Sequence, residues 1–434
     1  MKMNKVIGGV LIGLATATVV QALPSGPQVT PDGTPIYISG STAFRLQVFN
    51  ALGDLGLKAQ TGDSSGNNIF TFNGQPNDTT IGSFEGGLPS GLTGGGHVTV
   101  YCSFDGSAQG VHECTTPSLQ QNFEDLGAPG GAGVATFTSP STLAFSDVEQ
   151  DSTTFTSPTL NEIVSEGANS TGTFQGVAVQ PFLWAADSYA AAKITSMNND
   201  QAFNLFNSGA NPLCFWTGVA ADSSTLIKLT GRDNTSGSRI TAEANTPYGL
   251  TTPIIQWTVN GTVGTPGSTG NVGAWALAPG DSYGGNDSGY GSGGNVAKAL
   301  GLLGVPGTDT SLVVGYVSFS DALGLVDSAK LNTGATLGTA LTYDNISPVV
   351  QLSPFEYNIS AVENGSYPYW SYEHLFLASD VSTSSYAGED LGPGLVTAVC
   401  YEISLQTATS PQTAILEDNM NVQRIFDGGP VTHF

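Results

Sequence analysis

Twice in this chain a short apolar run breaks on a polar Gly/Ser turn and resumes at helical spacing, and that grammar constrains the fold most. Ile36-Tyr37-Ile38 leads through Ser39-Gly40-Ser41-Thr42-Ala43 into Phe44, Val48, Ala51, Leu52 and Leu55. Leu226–Thr230 leads through Gly231-Arg232-Asp233-Asn234-Thr235-Ser236-Gly237-Ser238 into a helical pattern over 240–244. A strand that passes through a tight turn into a helix is the repeating unit of α/β folds. Strand-like runs at 98–101, 142–145, 176–183 and 312–319 alternate with helical patterns at 189–206, 295–303 and 321–331. The expected architecture is α/β with a largely parallel sheet. Stretches 60–96 and 261–294, dense in Gly, Ser, Asn and Thr, read as surface insertions.

Lys2 and Lys5 precede an apolar stretch over 6–20 that ends Val20-Gln21-Ala22, the pattern of a signal peptide spanning 1–22. The expected location is periplasmic or extracellular. Without the leader, 9 basic residues face 35 acidic ones, a formal charge of −26, which excludes nonspecific nucleic-acid binding. The cysteines are Cys102, Cys114, Cys214 and Cys400; the first two, twelve residues apart, are the expected disulfide in an oxidising compartment. The four histidines, His97, His112, His374 and His433, lack metal-ligand spacing, and no Gly-x-Ser-x-Gly elbow is present. No metal, cofactor or catalytic residue is expected.

The turn after residue 230 offers backbone N–H groups and hydroxyls at a helix start, and it carries Arg232, one of only four arginines. That combination suits an oxyanion. Arg232 followed four residues later by Ser236-Gly237-Ser238 resembles the Arg…Ser-Gly-Thr motif of the periplasmic phosphate-binding proteins that feed ABC phosphate transporters. Ser41-Thr42-Ala43-Phe44 is similar to that family's first turn, and Asp105-Gly106-Ser107-Ala108-Gln109-Gly110 to its second. Ala144-Phe145-Ser146-Asp147 is similar to the strand ending in its ligand-facing aspartate. The stretches Val314-Gly315-Tyr316-Val317 and Tyr367-Pro368-Tyr369 resemble structural segments of the same family.

The resemblance implies a two-lobed type II periplasmic binding protein fold with a hinged ligand cleft. Lobe I would comprise 23–177 and 346–434, and lobe II 178–345. It implies phosphate as ligand, an ABC permease as partner and a monomeric receptor without enzymatic activity. The implied phosphate ligands are Ser41, Thr42, Ala43, Phe44, Ser107, Asp147, Arg232, Ser236, Gly237 and Ser238. Asp147 would accept the proton that phosphate carries and sulfate lacks. The chain departs from the family at Asn234, where an aspartate usually orients the arginine. The alternative is a secreted surface or structural protein that retains this fold, which the Gly/Ser-rich insertions would suit.

Overall fold

The computed structural model describes residues 33–60, 81–87, 97–124, 136–164, 175–187, 190, 193–259, 275–278, 288–301, 311–326, 338–352, 355–381, 387–406 and 412–434. The leader at 1–22 and the greater part of both Gly/Ser-rich stretches lie outside them. No helix among the described residues is long and apolar enough to cross a membrane.

One twelve-stranded sheet runs through the molecule. Its strands are β1 (Thr34–Gly40), β2 (Lys58–Gln60), β3 (Ile81–Gly87), β4 (His97–Ser103), β5 (Leu143–Ser146), β6 (Asn161–Ile163), β7 (Ala178–Asp187), β8 (Ala210–Pro212), β9 (Leu226–Thr230), β10 (Leu312–Ser318), β11 (Gly338–Ala340) and β12 (Trp370–Leu377). In space the order is β8-β9-β10-β7-β12-β5-β1-β4-β3-β2, with β11 beside β7 and β6 beside β12. The principal helices are α1 (Arg45–Asp54), α2 (Ser107–Thr115), α3 (Asn199–Ser208), α4 (Cys214–Thr217), α5 (Gly237–Asn245), α6 (Gly293–Leu300), α7 (Phe319–Val326), α8 (Ile359–Glu363) and α9 (Ala387–Leu405).

The α/β expectation holds, but the sheet is mixed rather than largely parallel. Strands β4, β1 and β5 run parallel, as do β9 and β10. Between these sets lie β7 and β12, antiparallel to each other over Trp370↔Pro181 to Glu373↔Ala178. The remainder of β7 pairs with β10 and the remainder of β12 with β5, again antiparallel. The chain therefore passes from one half to the other along β7 and returns along β12, and both strands are buried throughout.

Each half has its own apolar core. In the first, Leu143 and Phe145 of β5 pack with Val48 and Leu52 of α1 and Leu395 and Val399 of α9. Alternation along the strand turns Ala144 to the opposite face, where it meets Val111 and Cys114 of α2. The second core gathers Trp184, Leu229, Val314, Tyr316 and Leu300. Tyr357, Val362, Tyr367 and Tyr369 also pack in this second core, as do Ile415, Met420 and Val422 beyond β12.

The expected disulfide is absent: Cys102 and Cys114 are both free and buried. Cys102, on β4, faces the α1/α9 side with Phe104, whereas Cys114 belongs to α2 on the other side of the sheet. The sheet itself separates the two thiols, and burial pushes both well above the usual thiol range. Of the helix expected over 189–206, the described residues show α3, preceded by a short strand at Ser196–Met197. There Asn198 and Gln201 form a capping box, and Gly209 closes the helix at φ 69°.

Candidate functional site

Because β1, β4 and β5 run parallel, the turns that leave them emerge on one edge of the sheet, and the turn after β9 meets them from the other half. Such carboxyl-terminal edges are where open α/β sheets bind ligands. Gly40 ends β1 at φ 109°, a conformation a side chain resists, and lets the backbone lie against the Phe145 carbonyl. Ser41, next in the chain, donates from Oγ to Asp147 Oδ1 at 2.5 Å and accepts from the Phe44 N–H at 3.2 Å. Ser107 begins α2 and accepts the Asp147 N–H at 3.1 Å. Ser41, Thr42, Ser107 and Asp147 are all buried.

From the second half, Arg232 enters fully buried and its guanidinium is fixed on three sides. Nε donates to the Tyr290 carbonyl at 2.9 Å, one terminal nitrogen to the Gly291 carbonyl at 3.0 Å, and the other to Thr42 Oγ1 at 2.9 Å. These bonds use three of the five guanidinium N–H groups and, among the described residues, leave two uncommitted. Two backbone carbonyls and the Thr42 hydroxyl thus hold the guanidinium, the role that the resemblance gives to an aspartate at the position occupied here by Asn234. Asp233 is half-buried; desolvation raises its carboxyl above the usual range, while the Arg232 charge and Thr235 Oγ1 pull it back.

Ser236 caps α5 by accepting the Arg239 N–H at 3.4 Å, so the first turn of the helix is directed at the first half. The approach is close: a Cβ on Gly237 would stand 2.3 Å from Ser107 Oγ and 2.8 Å from Asp147 Cβ. Only glycine fits there. Ala108 N–H donates to the Thr235 carbonyl at 2.9 Å and Ser320 Oγ to the Ala43 carbonyl at 2.9 Å, further bonds between the halves. Ser238 Oγ is buried with no partner among the described residues. Of the expected ligand set, Thr42, Ser107, Asp147, Arg232 and Gly237 meet across this junction; Ser41 bonds Asp147, Ser236 caps α5, and Ala43 and Phe44 pack in the two cores.

Sequence reasoning missed Glu373. On β12 it lies opposite Asp147, one step beyond the paired His374 and Ser146. It is fully buried, and neither carboxylate oxygen has a donor among the described residues. Two ionised carboxylates placed so would repel; a proton on Glu373 supplies the missing donor. Burial first, and then the Asp147 charge, push the Glu373 carboxyl well above its usual range. Burial also raises Asp147, although Glu373, Ser41, Arg232 and Ser107 all favour its ionised form. A single acid inside the apolar, aromatic run Trp-Ser-Tyr-Glu-His-Leu-Phe-Leu was the available signal.

Raised carboxyls bind protons in the folded protein that the unfolded chain has already released, so their contribution is complete at low pH and is lost as pH rises. Glu149 and Glu417, each pushed up to about 7 chiefly by burial, act in the same direction. The melting temperature is expected to fall by several degrees between about pH 5 and about pH 9. Glu373→Gln, which keeps a donor for Asp147 and cannot ionise, is expected to flatten that slope in scanning calorimetry. An unchanged slope would show that Glu373 does not hold the proton.

No protein-family model matches the chain, and no curated protein is similar to it. Among solved structures it is similar to a phosphate ABC transporter substrate-binding protein of Clostridium perfringens with bound phosphate. That likeness has 12% identity and a TM-score of 0.41, covering 88% of this chain and 99% of that one. It is similar also to an ABC-type phosphate transport receptor of Vibrio cholerae, at 11% identity and a TM-score of 0.39, covering 85% of this chain and 97% of that one.

Proposed function

We propose that this chain is an exported substrate-binding protein that captures phosphate between its two halves and delivers it to an ABC permease. The observation that carries the reading is the convergence across the junction: Arg232 and the first turn of α5 from one side, Ser41, Thr42, Ser107 and Asp147 from the other. Two free guanidinium N–H groups, the Ser238 hydroxyl and the helix dipole supply donors to oxyanion oxygens. Asp147 supplies the single acceptor, which phosphate can satisfy with its own proton and sulfate cannot.

Acidic side chains crowd this junction, and burial raises their carboxyls toward the neutral form, which favours an anion. Asp105, raised by burial and by Glu113, and Asp233 and Glu373 lie near the same point as Arg232 and the buried Arg239–Glu243 pair at 2.8 Å. A neutral carboxyl does not repel phosphate and can donate to it. The high negative charge of the surface is screened beyond roughly 8 Å at physiological salt. Affinity is therefore expected to decline as these acids ionise at higher pH.

Calorimetric titration of the ligand-stripped mature chain with phosphate, with sulfate as control, tests the reading. A phosphate-only isotherm that weakens with rising pH is the expected result. Absence of binding by either anion would discard the receptor reading in favour of a surface protein that retains the fold.

A further inference from the structure

Away from the junction, α3, β8 and α4 surround an open cavity of about 280 Å³ whose wall is built from amides, one carboxylate and two aromatic rings. Phe215 and Trp216 form the apolar side, and the Phe215 side is 60% exposed. An aromatic ring left open to water beside polar groups is an amphipathic surface, not a core residue. Residues 200, 201 and 204 present one face of α3 to the same space.

Hydrogen-bond accounting separates what the fold uses from what it leaves available. Asn198 Oδ1 accepts the Gln201 N–H at 2.9 Å, and Gln201 Oε1 accepts the Asn198 N–H at 3.0 Å. Gln201 Nε2 donates to the Phe215 carbonyl at 3.4 Å and Asn204 Nδ2 to the Asp200 carbonyl at 2.7 Å. The Asn211 amide is engaged with Ser208 Oγ at 3.1 Å, and among the described residues this leaves the Asn198 amide N–H groups as donors and Asn204 Oδ1 and the Asp200 carboxylate as acceptors. In the same wall the Trp216 indole N–H is buried without an acceptor.

Donors and acceptors set side by side match a hydroxyl, which does both, and an adjacent aromatic face matches the C–H side of a pyranose. No lysine or arginine lines the cavity, and Asp200 disfavours anions. Its volume falls just below the roughly 300–1,000 Å³ of pockets for drug-sized molecules, which fits one sugar ring. We propose that this cavity binds a neutral sugar unit, free or at the end of a glycan, independently of the oxyanion site.

The test is saturation-transfer NMR on the full mature chain with methyl β-glucoside, methyl α-mannoside and N-acetylglucosamine, each beside a trisaccharide of the same sugar, and with glucuronate as the charged control. At least one neutral sugar is expected to bind with a dissociation constant on the order of 1 mM. Phe215→Ala, at an exposed ring the fold does not need, is expected to weaken it about tenfold or more. Asp200→Asn is expected to weaken the neutral sugar and to improve glucuronate. Arg232→Ala is expected to leave sugar binding unchanged, which separates this site from the junction. Tighter binding of a trisaccharide than of its monomer would identify a glycan chain as the source, and equal binding the free sugar. No transfer to any neutral sugar at about 10 mM, or equal binding by wild type, Phe215→Ala and Asp200→Asn, would overturn the proposal.

Discussion

Arg232→Ala is expected to weaken phosphate binding by about 100-fold or more, the equivalent of losing one buried charge-assisted donor set. The guanidinium charge favours ionised Asp147, and it is held by Tyr290 O, Gly291 O and Thr42 Oγ1 with two N–H groups left over among the described residues. Removing it also strands the Gly291 carbonyl, at a cost of about 1–3 kcal/mol if it stays dry, whereas the Tyr290 carbonyl keeps the Asp233 N–H at 3.2 Å. Arg232→Lys keeps the charge but cannot span two carbonyls and a ligand at once. It is expected to retain stability better than binding. Calorimetric titration beside thermal melts checks both variants; phosphate affinity unchanged in each would remove Arg232 from the site.

Asp147→Asn is expected to change which anion is bound. The amide retains an oxygen for the Ser41 hydroxyl at a position now bonded at 2.5 Å, and adds N–H donors where a carboxylate could only accept. Sulfate, rejected by an unpaired buried charge, then gains a donor, while protonated phosphate loses its acceptor. The phosphate-to-sulfate affinity ratio is expected to fall by about 100-fold, the scale of an unpaired buried polar contact. Competition titrations of the two anions measure that ratio directly. A preserved ratio would mean that the proton is read elsewhere, with Glu373 the first place to look.

Much of this junction was legible because strand ends and helix starts are local events. The turns at Ser41, Ser107, Asp147 and Arg232 each follow a short apolar strand, and parallel pairing brings three of them to one edge. What depended on distant pairing was not legible. The Tyr290 and Gly291 carbonyls that orient Arg232 are 58 and 59 residues away in sequence and carry no side-chain signature. Glu373 meets Asp147 only because β12 turns back antiparallel to β5. The Cys102–Cys114 spacing was compatible with a bridge, yet strand parity placed one thiol on each side of the sheet. The cavity beside α3 required Phe215 and Trp216 to come from a separate short helix, a juxtaposition no local pattern encodes.

The two crossing strands give the halves an axle as well as a seam. Two antiparallel strands bonded side by side from Trp370↔Pro181 to Glu373↔Ala178 resist shear and splaying but permit twisting, so the softest relative motion is rotation about them. Glu373 belongs to one of these strands and Asp147 faces it, close to that axis, where rotation displaces atoms least. Arg232 and the start of α5 belong to the other half. On the proposed function, the group that reads the ligand's proton would stay in place during opening, while the groups that neutralise its charge would arrive and depart. Selectivity would then be set at the pivot and grip at the jaw, so the two could be altered separately.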